Sequence, residues 1–245
     1  MESIIALHGL GGTKEVYLEV QNELASFNIT AIDLPGHGKQ PTLEYFTKES
    51  LIEWLTKYVK EPTIFIGYSI SCHILIDFAY TYPHLVKKLI FIDGGYFSPK
   101  DFGQSIEEVI EQTKIFVDQS RVSSVEQVVL DEQKELGRFT EEIAESIRAR
   151  YKIEKDGSGS LRIQPEVAAA YSEIFYEDDE KILCVPIFLI TVTQPKELTN
   201  IRIAAIEKLK QKTPQLQQIE VEGSHEIIAE KPKEIARIIQ TILCS

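Results

Sequence analysis

The sequence predicts an α/β fold, in which a mostly parallel sheet is flanked by helices and carries an inserted helical block. Two patterns lead to this prediction. Over residues 1–96, short runs rich in β-branched and aromatic residues alternate with helix-length segments, as in right-handed βαβ units. Over residues 97–183 the strand-like runs disappear, and they return in residues 184–245. We therefore expect one α/β core in two parts, interrupted by a helical lid.

The first part of the core contains four strand-like runs, SIIALHG, ITAIDLPG, TIFIGYS and KKLIFIDGG. Helices are predicted between them near residues 15–26, 48–59 and 70–82. The runs are largely apolar, which is typical of parallel strands that helices cover on both faces of the sheet.

The predicted lid differs from the core in polarity and charge. Its segments SIEEVIEQTKIFVDQS, SVEQVVLDEQKEL and TEEIAESIRARYK have helical length, and the pair Asp156-Gly157 predicts a hairpin or loose turn. The lid holds 11 basic and 20 acidic residues, so it carries most of the formal net charge of −12. Solvated helix faces account for such a charge, which would also disfavour strongly anionic substrates.

The second part of the core begins with the buried-strand run VPIFLITVTQ. A helix is predicted near residues 201–212, followed by a strand and loop in LQQIEVEGSHE and an amphipathic helix in PKEIARIIQTIL. The alternation of the first part therefore resumes after the lid.

Composition and charge exclude several classes of function. The 38 acidic side chains outnumber the 26 basic ones, so the field of the protein repels nucleic acid and anionic membrane surfaces. No apolar run approaches the roughly 18 residues of a membrane span. The three cysteines, Cys72, Cys184 and Cys244, have no metal-ligand spacing, and no leader-like segment precedes the first strand. We expect a cytoplasmic protein whose partner is a small molecule, without a metal, nucleic acid or membrane.

The stretch TIFIGYSISC, residues 63–72, raises the question of a nucleophile. Gly67 precedes Ser69 by two positions and Ser71 follows by two, which approaches the pattern G-x-S-x-G. A sharp strand-to-helix turn would lift the Ser69 hydroxyl out of the sheet and direct the N–H of Ile70 toward the same place. The spacing also fits a plain helix cap, so the motif alone leaves both interpretations open.

Two further stretches favour the nucleophile. LHGLGG ends the first strand in a glycine-rich turn that could present the N–H of Leu10 as a second oxyanion donor, with His8 as a brace beneath it. EGSHEIIAEKP places His225 on a loop between a strand and a helix. A lone histidine is more often structural, but one in this order after the turn is a candidate general base.

In the order and spacing of these motifs the chain resembles the α/β-hydrolase fold superfamily, in its branch with a single lid. HGLGG, DLPGHG, GYSIS, YPHLVKKLIFID and GSHEIIAEKP carry the resemblance, which covers nearly the whole chain. The resemblance implies that Ser69 is the nucleophile, His225 the general base, and the N–H groups of Leu10 and Ile70 the oxyanion hole. It also implies a trimmed sheet of about six strands, because two leading strands of the family are missing before HGLGG.

The acid of the triad is the point at which the sequence departs from the family pattern. The family usually places an Asp shortly after the strand that follows the lid, but VPIFLITVTQPKELTN offers only Glu197 there. Some members carry the acid at the end of the preceding strand, where this chain has Asp93. Either residue keeps the order Ser, acid, His. We favour Asp93 over Glu197, because Glu197 must reach from a loop that contains Pro195.

The sequence thus predicts a serine hydrolase of carboxylesterase type that cleaves a small, fairly apolar ester through an acyl-enzyme, without a cofactor. The alternatives are a lyase, a thioesterase or a carbon–carbon bond hydrolase on the same scaffold, or a ligand-binding protein without turnover. Several aromatic residues are candidates for an apolar pocket under the lid, although such residues are also common in plain cores. They are Tyr68, Tyr96, Phe97, Tyr171, Phe175 and Tyr176.

Overall fold

The computed structural model describes residues 2–177 and 181–244. Within these ranges the strands are β1 (Ile4–Leu7), β2 (Ile29–Ile32), β3 (Thr63–Tyr68), β4 (Val86–Ile92), β5 (Tyr151–Ile153), β6 (Gly159–Leu161), β7 (Ile187–Val192) and β8 (Leu216–Val221). The helices are α1 (Leu18–Glu23), α2 (Lys48–Thr56), α3 (Ser71–Thr81), α4 (Ile106–Gln119), α5 (Val125–Leu136), α6 (Glu141–Arg150), α7 (Pro165–Ile174), α8 (Thr199–Lys212), α9 (Ile227–Glu230) and α10 (Pro232–Leu243).

Six of the strands form one parallel sheet in the order β2-β1-β3-β4-β7-β8. This confirms the predicted α/β fold with about six parallel strands. Since the carboxyl ends of parallel strands lie at the same end of a sheet, the loops after β1, β3, β4, β7 and β8 gather there. These loops carry the motifs that the sequence singles out.

Two hydrophobic cores cover the faces of the sheet, because successive residues of a strand point to opposite sides. In β1, Ile5 and Leu7 belong to the core that includes side chains of α2, α3 and the segments between β4 and β7. Ile4 and Ala6 belong to the opposite core, which includes side chains of α1 and α10. Burial on both faces explains why the strand sequences are continuous apolar runs instead of alternating ones.

The segments between β4 and β7 are α4 to α7 and the β5–β6 hairpin, which we call the insert (97–183 in the sequence prediction). Three of its helices begin at side-chain caps, where Ser105, Ser124 and Thr140 accept an N–H of the first turn. The predicted turn at Asp156-Gly157 joins β5 to β6. Across the described part of the chain, no helix combines the length and the apolar character needed to cross a bilayer.

Candidate active site

The turn after β3 places Ser69 at the carboxyl end of the sheet. Ser69 adopts φ +58, one of two left-handed values among the non-glycine residues that the structure describes. Its N–H donates to the carbonyl of Ile92 at 3.1 Å, which ties the turn to the neighbouring strand β4. A Cβ at Gly94 would lie 2.2 Å from the Ser69 carbonyl oxygen, so this close approach requires glycine. The turn is a strained strand-to-helix elbow that exposes the serine side chain.

Ser71 occupies the position where the motif usually has glycine. The residue is fully buried, and its Oγ accepts from the N–H of Tyr68 at 2.8 Å. Its single hydroxyl proton has the carbonyls of Leu7 and Tyr68 as acceptors, at 2.8 and 2.9 Å. The hydroxyl therefore links the elbow to the end of β1, and the elbow forms without the second glycine.

Asp93 follows β4 directly and places a carboxylate beside the elbow. It is 1% exposed and adopts φ +43, the second left-handed non-glycine value. Its Oδ2 lies 2.7 Å from Nδ1 of His225. Glu197 is exposed in a short 3₁₀ turn before α8 and makes no hydrogen bond to His225 within the described chain. The structure thus pairs the histidine with Asp93 and leaves Glu197 apart.

His225 lies on the loop between β8 and α9 and completes a chain of hydrogen bonds. Its Nε2 lies 3.0 Å from the Oγ of Ser69. Tyr68 fixes the loop, because its hydroxyl donates to the His225 carbonyl at 2.8 Å and its ring stacks on the imidazole. The N–H of Gln194, after β7, donates to the carbonyl of Gly223 at 2.9 Å and joins the two loops. The imidazole is therefore held by its own ring contacts and by its backbone.

These three side chains can act together in proton transfer. An imidazole that donates its Nδ1–H to the Asp93 carboxylate leaves the Nε2 lone pair facing the Ser69 hydroxyl. The His225 side chain is 43% exposed and that of Asp93 is 1% exposed, so a reactant can reach the histidine but not the carboxylate. This division fits a base that exchanges protons with a substrate and an acid that only orients the base.

Two backbone N–H groups near Ser69 are candidate oxyanion donors. Ile70 is the residue that precedes α3, and Leu10 lies in the glycine-rich loop after β1. Neither N–H has an acceptor within residues 2–177 and 181–244. A Cβ at Gly9 would lie 3.1 Å from the Cβ of Ser69, so the loop closely approaches the elbow. Unpaired donors at such positions are suited to stabilise the negative charge that develops on an attacked carbonyl oxygen.

Two buried histidines hold the glycine-rich loop. The Nε2 of His8 accepts from the N–H of Leu34 at 3.0 Å, and its Nδ1 lies 2.7 Å from the carbonyl of Gly9. The Nε2 of His37 accepts from the N–H of Gly11 at 3.0 Å. Burial lowers the pKa of His8 to about 4 and that of His37 well below its usual value. Both rings are therefore neutral braces at pH 7, the role that the sequence predicts for His8.

An apolar cavity of about 380 Å³ opens beside Ser69, within the size range of small-molecule sites. Segments after β4, the end of α7 and the turn before α8 form its wall together with the elbow. Its apolar side chains are Ile70, Phe97, Pro99, Phe102, Phe175, Pro195 and Leu198. Phe97 and Phe175 are two of the aromatic residues that the sequence offers as pocket candidates. The other apolar residues of the wall come together only when separate loops pack in the folded chain.

A second, more polar cavity of about 600 Å³ also reaches Ser69 and His225. It is lined by the glycine-rich loop, by Tyr68, and by residues of α4, α5 and α6 in the insert. Four carboxylates stand on its wall, at Glu132, Glu135, Glu226 and Glu230, together with the guanidinium of Arg150. The Arg150 side chain donates to Glu132, so the wall presents more negative than positive charge.

Three tyrosines that the sequence offers as pocket candidates, Tyr96, Tyr171 and Tyr176, do not line either of these two cavities. A buried tyrosine hydroxyl needs an acceptor, and each of these finds one inside the fold. Tyr171 is fully buried and donates to the carbonyl of Pro35 at 3.0 Å. Tyr176 donates to the carbonyl of Gln104 at 2.6 Å. Tyr96 donates to the carboxylate that follows β4 at 2.5 Å.

Sequence reasoning misses Arg202 altogether. It lies on α8, is 6% exposed, and lines the apolar cavity as its only cation among the described residues. Its guanidinium donates to the carbonyls of Pro195 and Gln194 at 2.9 and 2.5 Å. Arg202 shares the buried face of α8 with Ala205, Ile206 and Leu209, at positions i, i+3, i+4 and i+7, and this spacing is the signal that could have found it.

Comparison with known proteins gives a family model that matches more than half of the chain. The family model described as alpha/beta hydrolase fold matches residues 2–132 of the 245. Solved structures agree over the full length. An E-2-(acetamidomethylene)succinate hydrolase superposes with a TM-score of 0.78 at 16% identity, covering 100% of this chain and 92% of that one. A marine microorganism esterase gives 0.73 at 22% identity, covering 98% and 94%. At these identities the likeness concerns the fold.

Curated relatives match shorter stretches at higher identity. A putative 2-succinyl-6-hydroxy-2,4-cyclohexadiene-1-carboxylate synthase from Haemophilus influenzae is 38% identical over 84 residues, which is 32% of this chain and 34% of that protein. A pimeloyl-(acyl-carrier protein) methyl ester esterase from Chromobacterium violaceum is 31% identical over 90 residues, 36% of this chain and 35% of that protein. The chain spans about a third of the length of the curated relatives it matches.

Proposed function

We propose a hydrolytic function on one premise: this chain belongs to the alpha/beta-hydrolase fold family. The observation that carries the proposal is the unbroken path from Asp93 through His225 to Ser69, at 2.7 and 3.0 Å. A histidine placed in this way can take the proton of a serine that attacks a carbonyl carbon. We assign Ser69 as the nucleophile of a serine esterase, His225 as its general base, and Asp93 as the acid that orients the base.

The proposed reaction has two halves. The Oγ of Ser69 attacks the ester carbonyl carbon while its proton passes to Nε2 of His225, and the N–H groups of Leu10 and Ile70 bind the oxyanion. The alcohol leaves with the proton from His225, and the acyl group stays on Ser69. Water then attacks the acyl-enzyme by the same path and releases the carboxylic acid. Asp93 stabilises the imidazolium in both halves without taking a proton.

The apolar cavity supports a small, fairly apolar ester without strong charge as the substrate. Phenylalanine, proline, leucine and isoleucine side chains supply most of its wall, which favours burial of an alkyl or aryl acyl group. The carboxylates on the wall of the polar cavity disfavour a strongly anionic group there. The curated relative from Chromobacterium violaceum is named as a methyl ester esterase, which agrees in reaction type.

We also propose that the insert, residues 97–183, acts as a lid. Its segments contribute Phe97, Phe102 and Phe175 to the apolar cavity and Phe116 to the polar one. Both cavities therefore lie between the insert and the carboxyl end of the sheet. A cover of this kind would exclude water from the acyl-enzyme, and its opening would admit the substrate.

A series of 4-nitrophenyl esters, from acetate to dodecanoate, tests the proposed function. We expect turnover by the wild type, highest for acyl chains that the apolar cavity holds, and none above background for Ser69→Ala. A matched thioester series separates the esterase from a thioesterase. Failure of the wild-type protein to hydrolyse any member of either series would contradict the proposal.

A further inference from the structure

The carboxylate of Asp93 has a second partner besides His225. While Oδ2 faces the imidazole, Oδ1 accepts from the hydroxyl of Tyr96 at 2.5 Å. Tyr96 is 4% exposed and Asp93 is 1% exposed, so bulk water does not compete for this bond. Of the side chains that the structure describes, these two alone donate to the carboxylate. Each oxygen of Asp93 is thus assigned to one donor.

This arrangement limits how the carboxylate can turn. A carboxylate held at one oxygen only can rotate about its last side-chain bond, which is a soft torsion. The bond from Tyr96 holds the other oxygen, so rotation would break a charge-assisted hydrogen bond in a dry environment. The oxygen that faces His225 therefore stays in place. The backbone adds to this restraint, because Asp93 sits at φ +43 in a turn followed by two glycines.

Arg202 supplies positive charge on the same side of the site. Arg202 is 6% exposed and lines the apolar cavity together with Asp93, and its guanidinium donates to the carbonyls of Pro195 and Gln194. Its Nε has no acceptor at all in that part of the chain. Burial and the negative charge of Asp93 raise the pKa of Tyr96, whereas Arg202 acts in the opposite direction, as a cation close to the phenol does. Buried charges need such compensation.

We propose that Tyr96 is a positioning residue for the triad acid, holding one oxygen of Asp93 so that the other stays directed at His225, with Arg202 as the buried counter-charge. This inference rests on the proposed function, since it concerns the acid of the same triad. It explains how an acid at the end of β4 can serve in place of one after β7. The turn after β7 instead supplies the carbonyls that hold Arg202.

Tyr96→Phe tests the inference, with Tyr171→Phe as a matched control. Both variants remove a buried hydroxyl, but that of Tyr171 reaches the carbonyl of Pro35 and not Asp93. With 4-nitrophenyl butyrate, we expect Tyr96→Phe to lower kcat by about 10- to 100-fold, the usual effect of one hydrogen bond to a charged group, with little change in KM. The control should keep the wild-type kcat.

The pH dependence of kcat/KM separates positioning from a merely structural role. Without the Tyr96 donor, more negative charge rests on the oxygen that faces His225, which favours the imidazolium, so the acid limb should move to higher pH. Glu226 and Glu230, which line the polar cavity together with His225, are unchanged in both variants. Tyr171→Phe should leave the limb in place. A Tyr96→Phe protein with the wild-type kcat and acid limb would overturn the inference.

Arg202 offers a second route if Tyr96→Phe does not fold. Arg202→Met removes the charge and should move the acid limb in the same direction, whereas Arg202→Lys keeps the charge and should restore most of the wild-type position. An unchanged limb in Arg202→Met would overturn the assignment of Arg202. If the wild-type protein itself shows no Ser69-dependent turnover, the proposed function fails. If the wild-type protein hydrolyses the ester and Tyr96→Phe behaves like Tyr171→Phe, only this inference fails.

Discussion

Two regions near Ser69 use histidine in different environments. One contains His225, and the other contains His8 and His37. The His225 side chain is 43% exposed and its ring nitrogens face two side chains, Asp93 and Ser69. His8 and His37 are buried, and their ring nitrogens face backbone groups. The first region can exchange protons with a reactant, and the second region holds the backbone of the glycine-rich loop after β1.

The hydrogen-bond partners of a histidine and its exposure to solvent, not the residue type alone, therefore decide its role. Burial lowers the pKa of both bracing histidines, because desolvation disfavours the charged ring. A ring between a carboxylate and a hydroxyl can accept and return a proton. Four predictions test whether the two regions have these separate roles.

The largest effect should come from removing the reactive groups themselves. Ser69→Ala and His225→Ala should each lower turnover by roughly 10⁶-fold, the loss seen when a triad serine or histidine is removed elsewhere. Steady-state kinetics with 4-nitrophenyl butyrate measures the loss, and circular dichroism checks that the fold is intact. Near-wild-type turnover in either folded variant would remove that residue from the triad.

The next effect concerns the acid. Asp93→Asn should lower kcat by roughly 10⁴-fold, because an amide in that place favours the wrong tautomer of His225. Glu197→Gln is the matched control, since Glu197 is exposed and makes no bond to His225 within the described residues. Its kcat should stay close to that of the wild type. Equal losses in the two variants would contradict the choice of Asp93 as the acid.

The bracing region predicts a stability effect instead of a catalytic one. The pKa of His8 falls from 6.5 to about 4 on folding, so the unfolded chain binds more protons between these values. Above pH 6.5, His8 is neutral in both the folded and the unfolded chain. As the pH falls toward 4, protonation of His8 in the unfolded chain lowers the free energy of unfolding by up to about 3 kcal/mol.

Urea unfolding at pH 7 and pH 4.5 measures this contribution. His8→Gln removes the titrating group, so its free energy of unfolding should fall less between the two pH values than that of the wild type. His84→Gln is the control, since His84 is exposed. Parallel pH dependence of the wild type and His8→Gln would show that His8 is not held neutral by the fold.

The smallest loss of activity should come from removing one hydrogen bond that holds the glycine-rich loop. His37→Phe keeps a ring but removes the acceptor for the N–H of Gly11, so the segment that carries Leu10 loses one hydrogen bond. We expect kcat to fall about 10-fold, in proportion to one neutral hydrogen bond, with an unchanged pH dependence of kcat/KM. A shift of the acid limb in this variant would mean that the two regions are not separate.

The sequence predicts the fold and the reactive residues better than it predicts their supports. Strands and helices follow from continuous apolar runs and amphipathic spacing, which are local. Ser69 and His225 stand in local motifs, at an elbow and on a loop after a strand. Asp93 has no such motif, and the choice against Glu197 needs the distance to His225, which only the folded chain fixes.

The supporting side chains depend on tertiary packing. An aromatic residue carries no local information about whether it faces a cavity or an acceptor inside the fold, and only the folded chain shows the acceptors of Tyr96 and Tyr171. Arg202 is buried where α8 meets the turn after β7, whose carbonyls accept from its guanidinium.

Covalent labelling tests the central claim, that Ser69 is an activated nucleophile served by His225 and Asp93. The purified wild-type protein is treated with a fluorophosphonate at pH 7.5, and the adduct is located by peptide mass spectrometry. We predict a single adduct on Ser69 that is absent in Ser69→Ala, absent in His225→Ala, and formed much more slowly in Asp93→Asn than in Glu197→Gln. A folded wild-type protein that stays unlabelled, or that carries the adduct on another residue, would contradict the claim.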